Sequence, residues 1–88
     1  LTTATLTILN KRGLHARAAA KFVQVAGRFD AYINVSKDGQ TVTGISIMGL
    51  LMLAAATGDT IEVSIDGNEA DQALAAITEL VTEKFGED

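Results

Sequence analysis

The single histidine of this 88-residue chain, His15, lies in Gly13-Leu14-His15-Ala16-Arg17-Ala18-Ala19-Ala20-Lys21. There a turn gives way to a helix. Gly13 can take the positive-φ conformations of a tight turn, and from Ala16 onward alanines, an arginine and a lysine are strong helix formers. His15 therefore stands at or just before a first helical turn, where up to four backbone N–H groups lack an intrahelical partner. Those groups and the helix dipole form a ready anion site. A nucleophilic ring nitrogen beside an anion cradle points to carrying a phosphoryl group. The plainer alternative is a solvated basic turn with an exposed histidine.

Charge distribution adds weight to the first reading. The net charge is −4, yet no acidic residue precedes Asp30, while Lys11, Arg12, Arg17, Lys21 and Arg28 all do. Four of the seven cations lie within six residues of His15. A basic patch on an acidic chain attracts an anionic ligand or acidic partner without promoting general nucleic-acid binding. With no cysteine and one histidine, disulfides, thiolate metal sites and a histidine zinc site are not expected, and nothing calls for a cofactor. The longest apolar run, Ile47 to Ala56, is ten residues and contains Gly49, far short of the ~20 a membrane span needs. No charged-then-apolar leader opens the sequence, so a reducing cytoplasm is the expected home.

The elements that must position the histidine follow from periodicity. Residues 2–9 alternate, with Ala4, Leu6 and Ile8 on one face and Thr3, Thr5 and Thr7 on the other, as in a half-buried strand. A first helix is expected over Ala16–Ala26, with Ala19, Phe22, Val23 and Ala26 inward, Arg17, Lys21, Gln24 and Arg28 outward, and Gly27 as its stop. A strand over Ala31–Ser36, the turn Asp38-Gly39 and a return over Gln40–Thr43 read as a hairpin. Ser46 reads as the N-cap of a short helix over Ile47–Leu53. A strand around Ile61, Val63 and Ile65 precedes a last helix over Glu69–Lys84. That helix has Ala70, Ala73, Leu74, Ile77, Leu80 and Val81 in one stripe, with Lys84 suiting its end. The order β-α-β-β-α-β-α in one domain, 1–88, predicts an α+β open-faced sandwich: a four-stranded antiparallel sheet with three helices on one face.

The short helix after Ser46 has almost no polar side. Part of Ile47, Met48 and Leu51 is therefore expected at the surface, as a docking patch, although all three could instead be core. Ser46 as a cap is the ordinary reading. A phosphate there would add about −1.5 to −2 charges at a helix start and repel an acidic partner.

Taken together, Gly13-Leu14-His15-Ala16-Arg17, Ser46-Ile47-Met48-Gly49, their spacing and the element order resemble the HPr-type phosphocarriers of the bacterial phosphoenolpyruvate-dependent phosphotransferase system. The resemblance covers essentially the whole chain. Lys84-Phe85-Gly86-Glu87-Asp88 and Leu50-Leu51-Met52-Leu53 look closer to the nitrogen-related branch, NPr, whereas Ser46-Ile47-Met48-Gly49 is similar to members regulated by HPr kinase/phosphorylase. The resemblance implies a carrier rather than an independent enzyme. His15, through Nδ1, would accept a phosphoryl group from an Enzyme I-type donor and pass it to a IIA-type acceptor, with Arg17 stabilising the group. Ser46 would be the regulatory phosphorylation site. Ala16, Ala20, Lys21, Ile47, Met48 and Leu51 would form the partner surface of a monomer. Neutral imidazole is a competent nucleophile near neutral pH, and its bond to phosphorus is labile enough to hand the group on. One departure is Ala18, where many HPr proteins carry proline. Proline and alanine both suit a first helical turn.

Two other classes are weighed by the same residues. A regulatory partner whose phosphorylation state controls a target enzyme can coexist with the relay. A nucleic-acid module would need surface aromatics on the sheet, where Tyr32 is the one available, and the net charge opposes it.

Overall fold

The computed structural model describes residues 1–87. Strand β1 is Thr2–Thr7, helix α1 Ala16–Ala26, β2 Tyr32–Lys37, β3 Gln40–Thr43, α2 Ile47–Met52, β4 Thr60–Asp66 and α3 Ala70–Thr82, followed by a 3-10 turn over Lys84–Gly86. All pairings are antiparallel, in the order β1-β4-β2-β3. The α+β open-faced sandwich expected from the sequence is the observed fold.

Strand register explains why the sheet has one apolar face. Ala4 pairs with Val63 and Leu6 with Ile61, while Ile33 pairs with Ile65 and Val35 with Val63. Side chains alternate with period two, so any one-residue slip would turn this whole set outward. Ile33, Val35, Ile61, Val63 and Ile65 are buried together with Phe22, Leu50, Ile77 and Val81 from the helices. Full burial of each large side chain is worth roughly 1.5–3 kcal/mol. Asp38 and Gly39 both take positive φ, 51° and 81°, which is the type I′ geometry whose twist matches the flanking strands.

Several boundaries differ from expectation, each for a local reason. The alternating pattern runs on to Ile8, which is fully buried, but the ladder stops at Thr7. The backbone of Ile8 bonds instead to the loop before β4: its N–H donates to Asp59 O at 2.9 Å, and its carbonyl accepts from Gly58 N–H at 2.8 Å. Gly27 caps α1 at φ −74°, a right-handed conformation open to any residue, so its special freedom is not what ends the helix. The α2 helix stops at Met52, one residue early.

The last helix is shorter than its pattern. It ends at Thr82, and Lys84 and Phe85 take positive φ, 58° and 56°. Lys84 therefore lies outside the last helical turn, and the dipole argument made for it does not apply. The reason is Phe85. It continues the four-residue series Ile77, Val81, Phe85, yet it reaches the core by folding back and is completely buried.

Candidate functional site

His15 is the N-cap residue of α1, with extended backbone (φ −82°, ψ −177°) and a side chain that makes no capping bond. Its carbonyl starts the helix by accepting from Ala19 N–H at 2.8 Å. The imidazole is thereby left for other work at the positive end of the helix.

The loop that presents it is tied down on several sides. Gly13 has φ +66°, and a Cβ there would lie 2.5 Å from Ala55 O and 2.9 Å from Ala56 Cα. The turn can thus press against the backbone after α2 because residue 13 has no side chain. Leu14 N–H donates to Ala55 O at 2.8 Å. The Thr57 hydroxyl donates to Asn10 O and to Lys11 O, the latter at 2.9 Å. Asn10 is completely buried, and its Nδ2 donates to Gly13 O at 2.7 Å.

Both ring nitrogens of His15 face oxygen. Nδ1 lies 3.2 Å from Gly13 O, and Nε2 lies 3.1 Å from Glu87 Oε2. The second contact is close but poorly directed, since neither atom completes an aligned hydrogen bond, and both are closed off from solvent. The other oxygen of Glu87 accepts from Asn10 Nδ2 at 3.1 Å. A half-buried Lys21 donates to Phe85 O at 2.5 Å, which fastens the final turn to α1. Beside this arrangement lies an open cleft of about 370 Å³ lined by Lys11, Arg12, Arg17, Lys21, Gly86 and Glu87. Four cations against one carboxylate give its lining a net positive charge.

The expected residues are therefore brought together unevenly. Arg17 is exposed on the first turn of α1 and lines the cleft. Lys21, expected on the outer face, is turned partly inward by its bond to Phe85 O. Ala16 is exposed and Ala20 half-buried, while Ala18 is fully buried, an inward position the spacing argument omitted. Ser46 caps α2 as expected, its Oγ accepting from Gly49 N–H at 3.0 Å. On α2, Met48 is 69% exposed and Ile47 40%, but Leu51 is half-buried and packs against the core. Met52, which had not been singled out, is 64% exposed in its place.

Asn10 and Glu87 were missed. Glu87 is 77 positions from Asn10, and no local spacing signals such a contact. The one available clue was Phe85, whose four-residue step from Val81 marks a chain that returns to the core. Among the described residues no group of three or more metal-ligating side chains occurs, and no helix is long and apolar enough to cross a membrane.

A histidine at a helix start beside clustered cations, on an open-faced α+β sandwich, defines a class of phosphate-handling carrier, and the comparisons agree. The family model described as PTS HPr component phosphorylation site matches residues 2–83. The phosphocarrier protein HPr of Neisseria meningitidis is 49% identical over 82 residues, 93% of this chain and 92% of that protein. The phosphocarrier protein NPr of Shewanella violacea is 46% identical, over 93% of this chain and 90% of its own length. Among solved structures, HPr-C-His from Thermoanaerobacter tengcongensis superposes with a TM-score of 0.96 at 41% identity, covering 100% of this chain and 99% of that one. The chain belongs to the HPr family. Relatives bearing both names match at similar identity, so overall identity does not separate the two branches.

Proposed function

We propose that this protein is a cytoplasmic phosphocarrier of the phosphotransferase system, taking a phosphoryl group from an Enzyme I-type donor onto His15 and passing it to a IIA-type acceptor. The observation that carries the reading is the N-cap imidazole, unspent on capping, beside a cleft lined by Lys11, Arg12, Arg17 and Lys21. Nε2 is closed off by Glu87, which supports Nδ1, the nitrogen the family resemblance implies, as the one that attacks once it gives up its contact with Gly13 O. Its lone pair forms the N–P bond as the donor's bond to phosphorus breaks and that electron pair returns to the donor. Arg17 offers guanidinium N–H groups to the phosphoryl oxygens, and the start of α1 adds its dipole. Charge placement of this kind is the main need of phosphoryl transfer.

The partner surface in this reading comprises the exposed Ala16, Ile47 and Met48, to which Met52 is added, with the half-buried Ala20, Lys21 and Leu51 contributing the parts that reach the surface. Ser46 is the regulatory site. Its Oγ accepts from Gly49 N–H, and a phosphate there would keep that acceptor role while placing negative charge beside the apolar patch. The protein would then also serve as a binding partner whose state a target enzyme reads.

The test is intact mass after incubation with phosphoenolpyruvate and an Enzyme I-type donor, alongside His15→Ala. One acid-labile phosphoryl group on the parent and none on the variant is the expected result. Equal uptake by the variant would overturn the assignment.

A further inference from the structure

Two acceptors compete for the protons of the His15 ring. Gly13 O, 3.2 Å from Nδ1, favours a proton on Nδ1. The Glu87 carboxylate, 3.1 Å from Nε2, favours one on Nε2. These are different tautomers of the neutral ring: the Gly13 contact is the aligned hydrogen bond, whereas the Glu87 contact is misaligned but sets a full negative charge in a solvent-excluded position against Nε2. A proton on Nδ1 occupies the lone pair that must attack phosphorus.

We infer that Glu87 is the positioning residue of the phosphoryl-transfer site: it holds the ring proton on Nε2 and so leaves Nδ1 as the nucleophile. The inference rests on the relay reading above and deepens it. The carboxylate is not a loosely hung surface group. Asn10, itself completely buried, donates to its second oxygen at 3.1 Å. Phe85 plugs the core two residues earlier, and Lys21 fixes Phe85 O. Gly86 takes φ +74° with its missing Cβ position 3.4 Å from Lys21 Nζ. Lys84 and Phe85 are held at positive φ, a conformation that non-glycine residues disfavour. A turn kept in that form against its backbone preference delivers Glu87 to the ring.

The chemistry gives the carboxylate a second use. When Nδ1 of a neutral ring bonds to phosphorus, the proton stays on Nε2 and the ring becomes positively charged. The electron pair of the bond that breaks returns to the donor atom. Glu87 then faces a cation, and the imidazolium so stabilised leaves as a neutral ring in the next transfer. The four cations lining the cleft offset the repulsion between the Glu87 charge and the incoming phosphoryl oxygens.

The experiment uses the full chain, labelled with 15N, as parent, Glu87→Ala and Glu87→Gln. The ring nitrogen shifts report which atom carries the proton in the unphosphorylated protein. Initial rates of uptake from phosphoenolpyruvate and an Enzyme I-type donor report the consequence. The expected result is an Nε2-protonated neutral ring in the parent, a shift towards Nδ1 protonation in Glu87→Ala, and uptake slowed on the order of tenfold in that variant. Glu87→Gln, which keeps an acceptor oxygen, retains the parent tautomer and most of the rate. Parent tautomer in Glu87→Ala overturns the inference, whether uptake is slowed or not. If the parent takes up no phosphoryl group at all, the relay reading fails, and the ring shifts still decide what Glu87 does.

Discussion

Helices α1 and α2 begin in opposite ways. At α2 the N-cap side chain is spent on structure, with Ser46 Oγ accepting from Gly49 N–H at 3.0 Å. At α1 the N-cap is a histidine whose side chain caps nothing. Serine is among the best N-cap residues because its oxygen satisfies an orphan N–H, and histidine is not of that set. The molecule thus forgoes a capping bond at the one helix start surrounded by cations and keeps it at the other. Stability forgone at a helix start, next to unusual charge, is a sign of a site. The contrast also says what each residue can do: an imidazole not spent on capping can react, whereas a capping hydroxyl must be modified without losing its helix.

The sharpest way to break this contrast is to make α1 start like α2. His15→Ser is expected to abolish phosphoryl uptake, measured by intact mass. It should also be more stable than His15→Ala by about 1 kcal/mol in urea unfolding, through the regained cap. If serine and alanine gave equal stability, the uncapped start would not be a stability concession. Next in size is Arg17→Ala, expected to slow uptake on the order of a hundredfold or more. Arg17→Lys should recover part of that loss, since charge returns without the planar fork. Stopped-flow or quenched-flow uptake would separate the two.

Gly13→Ala addresses the platform rather than the nucleophile. A Cβ 2.5 Å from Ala55 O at φ +66° forces either the turn or the backbone after α2 to move. Unfolding in urea should show a loss of about 3 kcal/mol, and a loss under 1 kcal/mol would mean the turn is not wedged. The smallest effects belong to Ser46. Its replacement by alanine should cost about 1 kcal/mol and by aspartate only about 0.3 kcal/mol, because aspartate caps as well as serine does.

Much of the architecture was legible because it is written in local periods. Strand alternation around Ile61, Val63 and Ile65, the Asp38-Gly39 turn and the Ser46 cap each needs only neighbouring residues, and each is where it was expected. The start of α1 at Ala16 and its charge setting were legible for the same reason. What stayed hidden was made by contacts across the chain. Lys21 has the spacing of an outer-face residue, yet Phe85 O, 64 positions away, draws it partly inward. Leu51 and Met52 exchange exposure because a six-residue helix rotates its faces according to what it packs on, which no short pattern specifies. Asn10 and Glu87 meet at the site through the returning turn, and the buried Phe85 that drives that return was the one mark of it in the sequence.

The loop carrying His15 has no sheet of its own to hold it. Its amides lean on the segment between α2 and β4, through Leu14 N–H to Ala55 O and the reciprocal bonds of Ile8 with Gly58 and Asp59. Neither stretch can fray without releasing the other, so the two should open as one cooperative unit. In hydrogen–deuterium exchange, Ile8, Leu14 and Gly58 should then lose protection with a common opening free energy, below that of the β4 amides. Parts of the chain far apart in sequence, residues 8–14 and 55–59, would share a single clock.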